Sequence, residues 1–174
     1  MKTLLKLVIL VAVLVLGGAY LYGRGLPRDH IVSSNVLLVA PADSVYKIIR
    51  NIEATPSWWS DVKSVSRIQG APREAWVEDL GAAGKIEIEI TRAVPNASMV
   101  VTILNADAQG WGGVWYYEVR NTPAGTEVTI TEEGFVDSPI FRTLMKLRGK
   151  HRTVDSYLRS LGAHFGEHVT PRHG

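Results

Sequence analysis

The chain opens with one long apolar segment. No charged residue occurs from Leu7 to Tyr22, and from Leu4 onward the apolar run of 19 residues is broken only by Lys6. As a helix this run would be roughly 28 Å long, close to the thickness of the hydrocarbon core of a bilayer. Two interpretations stay open for residues 1–22: a retained transmembrane anchor, and a signal peptide cleaved near Gly17 and Ala19. The run continues past those two small residues, which favours the anchor.

Charges flank this segment on both sides. Lys2, Lys6 and the amino terminus precede it, and Arg24 and Arg28 follow it. The small positive excess on the amino-terminal side predicts a single-pass membrane protein whose soluble domain is extracytoplasmic. Residues 23–30 are predicted to be a linker, residues 31–167 a folded domain, and residues 168–174 a flexible tail.

Short alternating segments replace the apolar run from Ile31 onward. They predict a strand over 31–40, a helix that begins after Pro41, and a second short helix over 57–61 that carries Trp58 and Trp59. Six strands are predicted next, at residues 62–69, 75–80, 85–92, 98–105, 111–120 and 127–136. The clearest is 85–92, where isoleucines alternate with charged residues, as in an antiparallel strand with one buried face.

The final segment has the spacing of a helix. Apolar positions that recur at alternating steps of four and three residues form one stripe. This stripe predicts a single helix from about Pro139 to about Phe165. The stripe contains Ile140, Leu144, Leu147, His151, Val154, Leu158, Leu161 and Phe165. Because an antiparallel sheet with one apolar face needs a cover, this helix is predicted to pack on the sheet in an α+β fold.

Three stretches resemble the START-like (SRPBCC) helix-grip superfamily, near its polyketide cyclase/dehydrase branch. They are VLLVAPADSVYKIIRNIEATPSWWSDV, GGVWYYEVRNTPAGTEVTITEEGF and SPIFRTLMKLRGKHRTVDSYLRSLGAHFGE. The resemblance implies a curved sheet around the long C-terminal helix, with a hydrophobic pocket between them. That superfamily includes carriers of lipids and other hydrophobic ligands as well as aromatase/cyclases.

Two polar residues are candidates for chemistry. His151 interrupts the apolar stripe of the last helix, where it would either face the pocket or make a hydrogen bond at its mouth or in the core. Val128, Ile130 and Glu132 are alternate residues of one strand and so share a face. Glu132 would therefore either face inward with them or meet water where the strand ends near Gly134. No residue is assigned firmly to catalysis.

The pocket wall is expected to be mainly apolar and aromatic. Trp115 and Tyr117 share one face of a strand, where they could line a site for a flat apolar ligand or serve only as core. The predicted ligand-binding residues are Trp76, Ile88, Trp111, Trp115, Tyr117, Ile130, Leu147, His151 and Val154.

The composition and charge of the chain exclude several classes of function. The chain has no cysteine, which excludes thiolate metal sites and cysteine nucleophiles. Without the first 22 residues, 17 basic and 17 acidic residues remain, so a nucleic-acid partner is not expected. The sequence HFGEH at residues 164–168 fits a zinc-protease pattern, but Gly166 and the nearby chain end argue against it, and no metal or cofactor is expected.

The favoured function is a membrane-anchored domain that binds a hydrophobic small molecule or lipid. The alternative is a polyketide cyclase/dehydratase-like enzyme that uses His151 and Glu132 as acid and base.

Overall fold

One antiparallel sheet of eight strands organises the chain after its N-terminal helix, in a computed structural model that describes residues 1–174. The strands are β1 (Asp29–Leu38), β2 (Ser64–Arg67), β3 (Ala75–Asp79), β4 (Lys85–Val94), β5 (Ser98–Ile103), β6 (Trp111–Thr122), β7 (Gly125–Val136) and β8 (Arg172–His173). Their order across the sheet is β2-β3-β4-β5-β6-β7-β1-β8. All six predicted strands between the short helices and the C-terminal segment are therefore present.

Five α-helices and two short 3-10 helices accompany this sheet. The α-helices are α1 (Lys2–Arg24), α2 (Ala42–Arg50), α3 (Ala106–Gln109), α4 (Pro139–Arg148) and α5 (Arg152–His164). Short 3-10 helices occupy Ile52–Ser57 and Gly81–Ala83. The turn before Trp58 is thus helical, and the short helix predicted over residues 57–61 lies instead at Ile52–Ser57.

The core lies between the sheet and α5. Val154, Leu158 and Leu161 are fully buried on α5, which packs against β1 and β7. Val128 and Ile130 of β7 belong to the same apolar cluster. This arrangement confirms the predicted α+β helix-grip fold.

The C-terminal helical segment is divided, which corrects the prediction of one continuous helix. α4 ends at Arg148, Gly149 follows with a φ of +89°, and α5 begins at Arg152. Glycine adopts such a backbone conformation at little cost, whereas it weakens a helix interior. Because of the break, Leu147 is 76% exposed rather than directed at the sheet.

The last residues also differ from the prediction. Arg172 and His173 pair with Asn35 and Ser34 of β1, and the Gly174 amide donates a hydrogen bond to the Ser33 carbonyl at 3.0 Å. The predicted flexible tail therefore contributes the eighth strand. A strand of two residues is too short to show a period-two pattern.

The segment HFGEH has a structural role that does not require a metal. The Glu167 carboxylate accepts hydrogen bonds from the backbone amides of Val39 and Ala40 at 2.8 and 3.0 Å. It thereby ties the end of the C-terminal segment to the end of β1.

α1 is long and apolar enough to cross a membrane, and its most apolar window is fully exposed. A transmembrane anchor and a signal sequence both have these properties. Only the end of α1 contacts the domain: Gly23 packs on the Pro139 carbonyl, and the Thr143 hydroxyl donates a hydrogen bond to the Ala19 carbonyl at 2.7 Å. A Cβ atom at Gly23 would overlap the Pro139 carbonyl, so this close approach requires glycine.

Candidate ligand-binding cavity

A cavity of about 240 Å³ lies between the inner face of the sheet and the C-terminal helices. Strands β3 to β7 form its floor, α4 and α5 bound it with Met145, Thr153 and Tyr157, and the Ile52–Ser57 turn adds Ile52 and Thr55. Of its 20 lining residues, 14 are hydrophobic, so the wall suits an apolar ligand. Besides the five lining residues already named, the cavity is lined by His30, Trp59, Glu78, Leu80, Ile86, Ile88, Val101, Ile103, Trp111, Gly112, Trp115, Tyr117, Glu132, Phe135 and Val136.

Strand pairing explains why these side chains meet. Ile88 of β4 lies opposite Ile103 of β5, and Val101 of β5 lies opposite Trp115 of β6. Trp115 in turn lies opposite Glu132 of β7. Directly opposed residues share a face of the sheet, and Ile103 and Val101 lie two positions apart on the same face of β5. Side chains from four strands therefore lie on the one face that forms the cavity floor.

Four aromatic rings pack together at the cavity. Trp115 has its ring centroid 6.2 Å from that of Trp59 and 6.0 Å from that of Tyr117. Tyr157 of α5 lies 5.0 Å from Trp59 and 5.6 Å from Tyr117, with tilted or edge-to-face geometry. Such a cluster presents a rigid apolar wall at a low cost in side-chain entropy.

The tyrosine hydroxyls in this cluster stay neutral. Burial, supplemented by the nearby Glu78 carboxyl, raises the pKa of Tyr157 far above its ordinary value. Burial also raises the pKa of Tyr117 well above 10, with further contributions from Tyr157, Glu78 and Glu132. Both groups are therefore available as neutral hydrogen-bonding partners for a ligand.

Glu78 is the most unusual polar group of the cavity. It lies on β3 two residues after Trp76, is buried, and faces the space beside Ile86. Burial raises the pKa of Glu78 from 4.5 to about 7. A carboxyl in that range is partly protonated at neutral pH, so it can either donate or accept a hydrogen bond.

Of the two orientations that the sequence allows for Glu132, inward or toward water, the structure has the inward one. The neighbour of Glu132 in the cavity is His30. The His30 Nε2 atom lies 3.5 Å from the Glu132 carboxylate, and both side chains are largely buried. The other ring nitrogen of His30 is buried without a hydrogen-bond partner. This pair gives the cavity one polar end near the start of β1.

Four of the nine predicted ligand-binding residues line the cavity and five do not. Trp111, Trp115, Tyr117 and Ile88 line the cavity. Three others are buried in the core and do not line it: Trp76, Ile130 and Val154. Trp76 instead donates a hydrogen bond from its Nε1 to Glu53 at 3.2 Å. Leu147 is exposed, for the reason given above.

His151 lies outside the cavity, which corrects its predicted position. It immediately precedes α5, its Nδ1 lies 3.2 Å from the Ser34 hydroxyl, and its ring stacks on His173 at 3.8 Å. The Ser34 hydroxyl donates to the buried Asp155 carboxylate at 2.9 Å, and His173 Nε2 lies 3.0 Å from the same group. Burial, then His173 and Lys150, lower the pKa of His151. The cluster fastens β8 to α5.

Sequence reasoning missed Glu78, His30, Tyr157 and Met145 as cavity residues. For Glu78 a signal was present, because its period-two relation to Trp76 places it on the inner face of β3. His30 lies in the linker that the sequence predicts, although β1 begins at Asp29.

A curved antiparallel sheet gripping a C-terminal helix, with a cavity between them, defines a START-like domain. Residues 29–164 match the family described as polyketide cyclase / dehydrase and lipid transport. This match covers most of the chain, so the protein belongs to that family. A comparison with curated proteins found no match.

Solved structures with the same fold include a START superfamily protein and aromatase/cyclases. A START superfamily protein from Mycobacterium smegmatis has a TM-score of 0.60 and 16% identity, with 78% of this chain and 96% of that chain covered. An aromatase/cyclase from a Streptomyces species has a TM-score of 0.60 and 13% identity, with 76% and 91% covered. The di-domain aromatase/cyclase of the steffimycin pathway has a TM-score of 0.63 and 10% identity, and this chain spans 50% of its length. At these identities the likeness concerns the fold alone.

Proposed function

We propose that this protein is a membrane-anchored START-like domain that binds a hydrophobic small molecule or lipid in the cavity between the sheet and the C-terminal helices. The observation that carries the proposal is the predominance of hydrophobic residues among those that line the cavity. Removing apolar ligand surface from water contributes about 25 cal/mol per Å², so the apolar wall would supply most of the affinity.

The few polar groups would fix the orientation of the ligand. Glu78 can donate or accept a hydrogen bond, and the His30–Glu132 pair lies at another part of the wall. Each such hydrogen bond contributes about 1 kcal/mol net, or more where a charged group takes part. A ligand with one polar group on an apolar body matches this arrangement.

Binding of an apolar fluorescent probe such as Nile red tests the proposal. Trp115→Ala should weaken probe binding about tenfold, because it removes a large apolar contact of roughly 1.5 kcal/mol or more from the cavity wall. Trp58→Ala is the matched control, since Trp58 packs on Tyr157 and His164 but does not line the cavity. His151→Ala should also leave the probe affinity nearly unchanged. Equal weakening by all three substitutions would contradict binding in this cavity.

The membrane anchor has its own test. If α1 is retained, the full-length protein should remain in the membrane pellet after extraction with alkaline carbonate, because a span of this apolar length resists removal. N-terminal sequencing of the mature protein should find residues 1–22 intact. A mature chain that starts near Tyr20, recovered in the soluble fraction, would make the domain a secreted one.

On the proposed extracytoplasmic orientation, protease added to intact cells should digest the domain.

A second candidate is an enzyme that acts on a polyketide-like substrate. The specific observation in its favour is that the His30–Glu132 pair and Glu78 line the same cavity, since acid and base groups at an apolar site could transfer protons. His151, the acid or base that the sequence suggests, lies outside the cavity and would have no direct part. Loss of turnover in Glu132→Gln with intact Nile red binding would favour this candidate over a carrier.

A further inference from the structure

Basic charge is concentrated in one segment of the domain. Between Asp137 and Asp155 the chain contains no acidic residue and five basic ones: Arg142, Lys146, Arg148, Lys150 and Arg152. Outside the first 22 residues the chain as a whole carries equal numbers of basic and acidic residues. The excess is therefore local to α4 and to the short connection that leads into α5.

The same helix exposes large apolar side chains. Phe141 is 61% exposed and Leu147 is 76% exposed. Together with Leu144 they recur every three residues, a spacing that keeps them on one side of α4. Exposed apolar residues on a helix rich in lysine and arginine are typical of helices that lie in the surface of a bilayer.

The position of α4 also indicates a bilayer surface as its partner. Its first turns pack on the last turns of α1 through Thr143 and Ala19. The Arg142 guanidinium also donates a hydrogen bond of 2.6 Å to the carbonyl of Leu26, which lies just after the end of α1. The apolar run of α1 ends at Tyr22, and aromatic residues such as Tyr20 and Tyr22 mark the interface between a bilayer and water. If α1 spans a membrane, α4 is held at the level of the lipid headgroups.

We infer that α4 docks on an anionic bilayer surface, with Phe141 and Leu147 inserted at the acyl boundary and Lys146, Arg148 and Lys150 facing lipid phosphates. This inference rests on the proposed anchor. Lysine and arginine side chains near such a surface are attracted to its anionic lipids. Met145 of α4 lines the cavity, so α4 forms the wall between the cavity and the bilayer.

The full-length chain has no cysteine, so single labelling sites can be introduced directly. Phe141→Cys and Leu147→Cys would be labelled with bimane and the proteins reconstituted in nanodiscs that contain doxyl-labelled lipid. Val39→Cys is the control: Val39 is 84% exposed and lies beyond the far end of β1. That strand of ten residues separates it from the end near α1 by roughly 33 Å.

Quenching by doxyl lipid should be several-fold stronger at positions 141 and 147 than at position 39 in nanodiscs containing phosphatidylglycerol. It should fall in pure phosphatidylcholine and in the triple variant Lys146→Gln, Arg148→Gln, Lys150→Gln. Quenching at positions 141 and 147 no stronger than at position 39 would overturn docking. Equal quenching with and without phosphatidylglycerol would overturn the anionic requirement. Carbonate extraction reports on α1 and Nile red binding reports on the cavity, so failure of docking is distinguishable from failure of the proposed function.

Discussion

Leu158→Ala should lower the free energy of unfolding by about 2–5 kcal/mol, because it removes a fully buried side chain and leaves a cavity between α5 and the sheet. Leu158 belongs to the same apolar cluster as Val128 and Ile130 of β7. The measurement is denaturant unfolding of the full chain in detergent micelles, followed by tryptophan fluorescence.

Leu147→Ala is the matched control for this experiment. It removes the same atoms from α4, the helix just before α5, at a site that the break at Gly149 leaves exposed. We expect a change below about 0.5 kcal/mol, as for most surface substitutions. If both variants lost the same stability, the division of the C-terminal segment into a covered helix and an exposed helix would be wrong.

Glu78→Gln should stabilise the protein increasingly as the pH rises from about 4.5 to about 7. Below that range the wild-type carboxyl is protonated in both the folded and the unfolded chain, so its titration costs no stability. Within the range it ionises in the unfolded chain first, because burial raises the folded pKa to about 7. At about 1.4 kcal/mol per pKa unit, the wild type then carries a penalty of about 3 kcal/mol above pH 7 that glutamine lacks.

The corresponding measurement is the unfolding free energy of both proteins at several pH values. Glu87→Gln, on the exposed face of the neighbouring strand β4, controls for the removal of one acidic side chain. A constant difference between Glu78→Gln and wild type across this pH range would contradict a protonated Glu78 in the folded cavity.

The sequence predicts the sheet well because each strand has one buried face. In β4 the inner residues Ile86, Ile88 and Ile90 are all buried, and their alternation with charged residues is visible without a structure. The aromatic floor of the cavity follows from the same rule, since Trp115 and Tyr117 lie two positions apart on β6. Local periodicity therefore predicts which strand residues face inward.

Features that depend on contacts distant in sequence are beyond such reasoning. The stripe that passes through Leu147 and His151 keeps its helical spacing across Gly149, so periodicity alone does not reveal the break. His151 contacts Ser34 of β1 and His173 of β8, which are both distant from it in sequence. The pairing of His30 with Glu132 likewise depends on the register of β1 against β7.

Whether the cavity holds an apolar ligand is the central question, and native mass spectrometry of the protein purified from its host addresses it most directly. We predict a bound apolar molecule that is released by collisional activation, present in wild type and in Trp58→Ala and depleted in Trp115→Ala. Detection of the bare polypeptide mass alone in wild type, or an equal amount of bound molecule in both tryptophan variants, would contradict a ligand in this cavity.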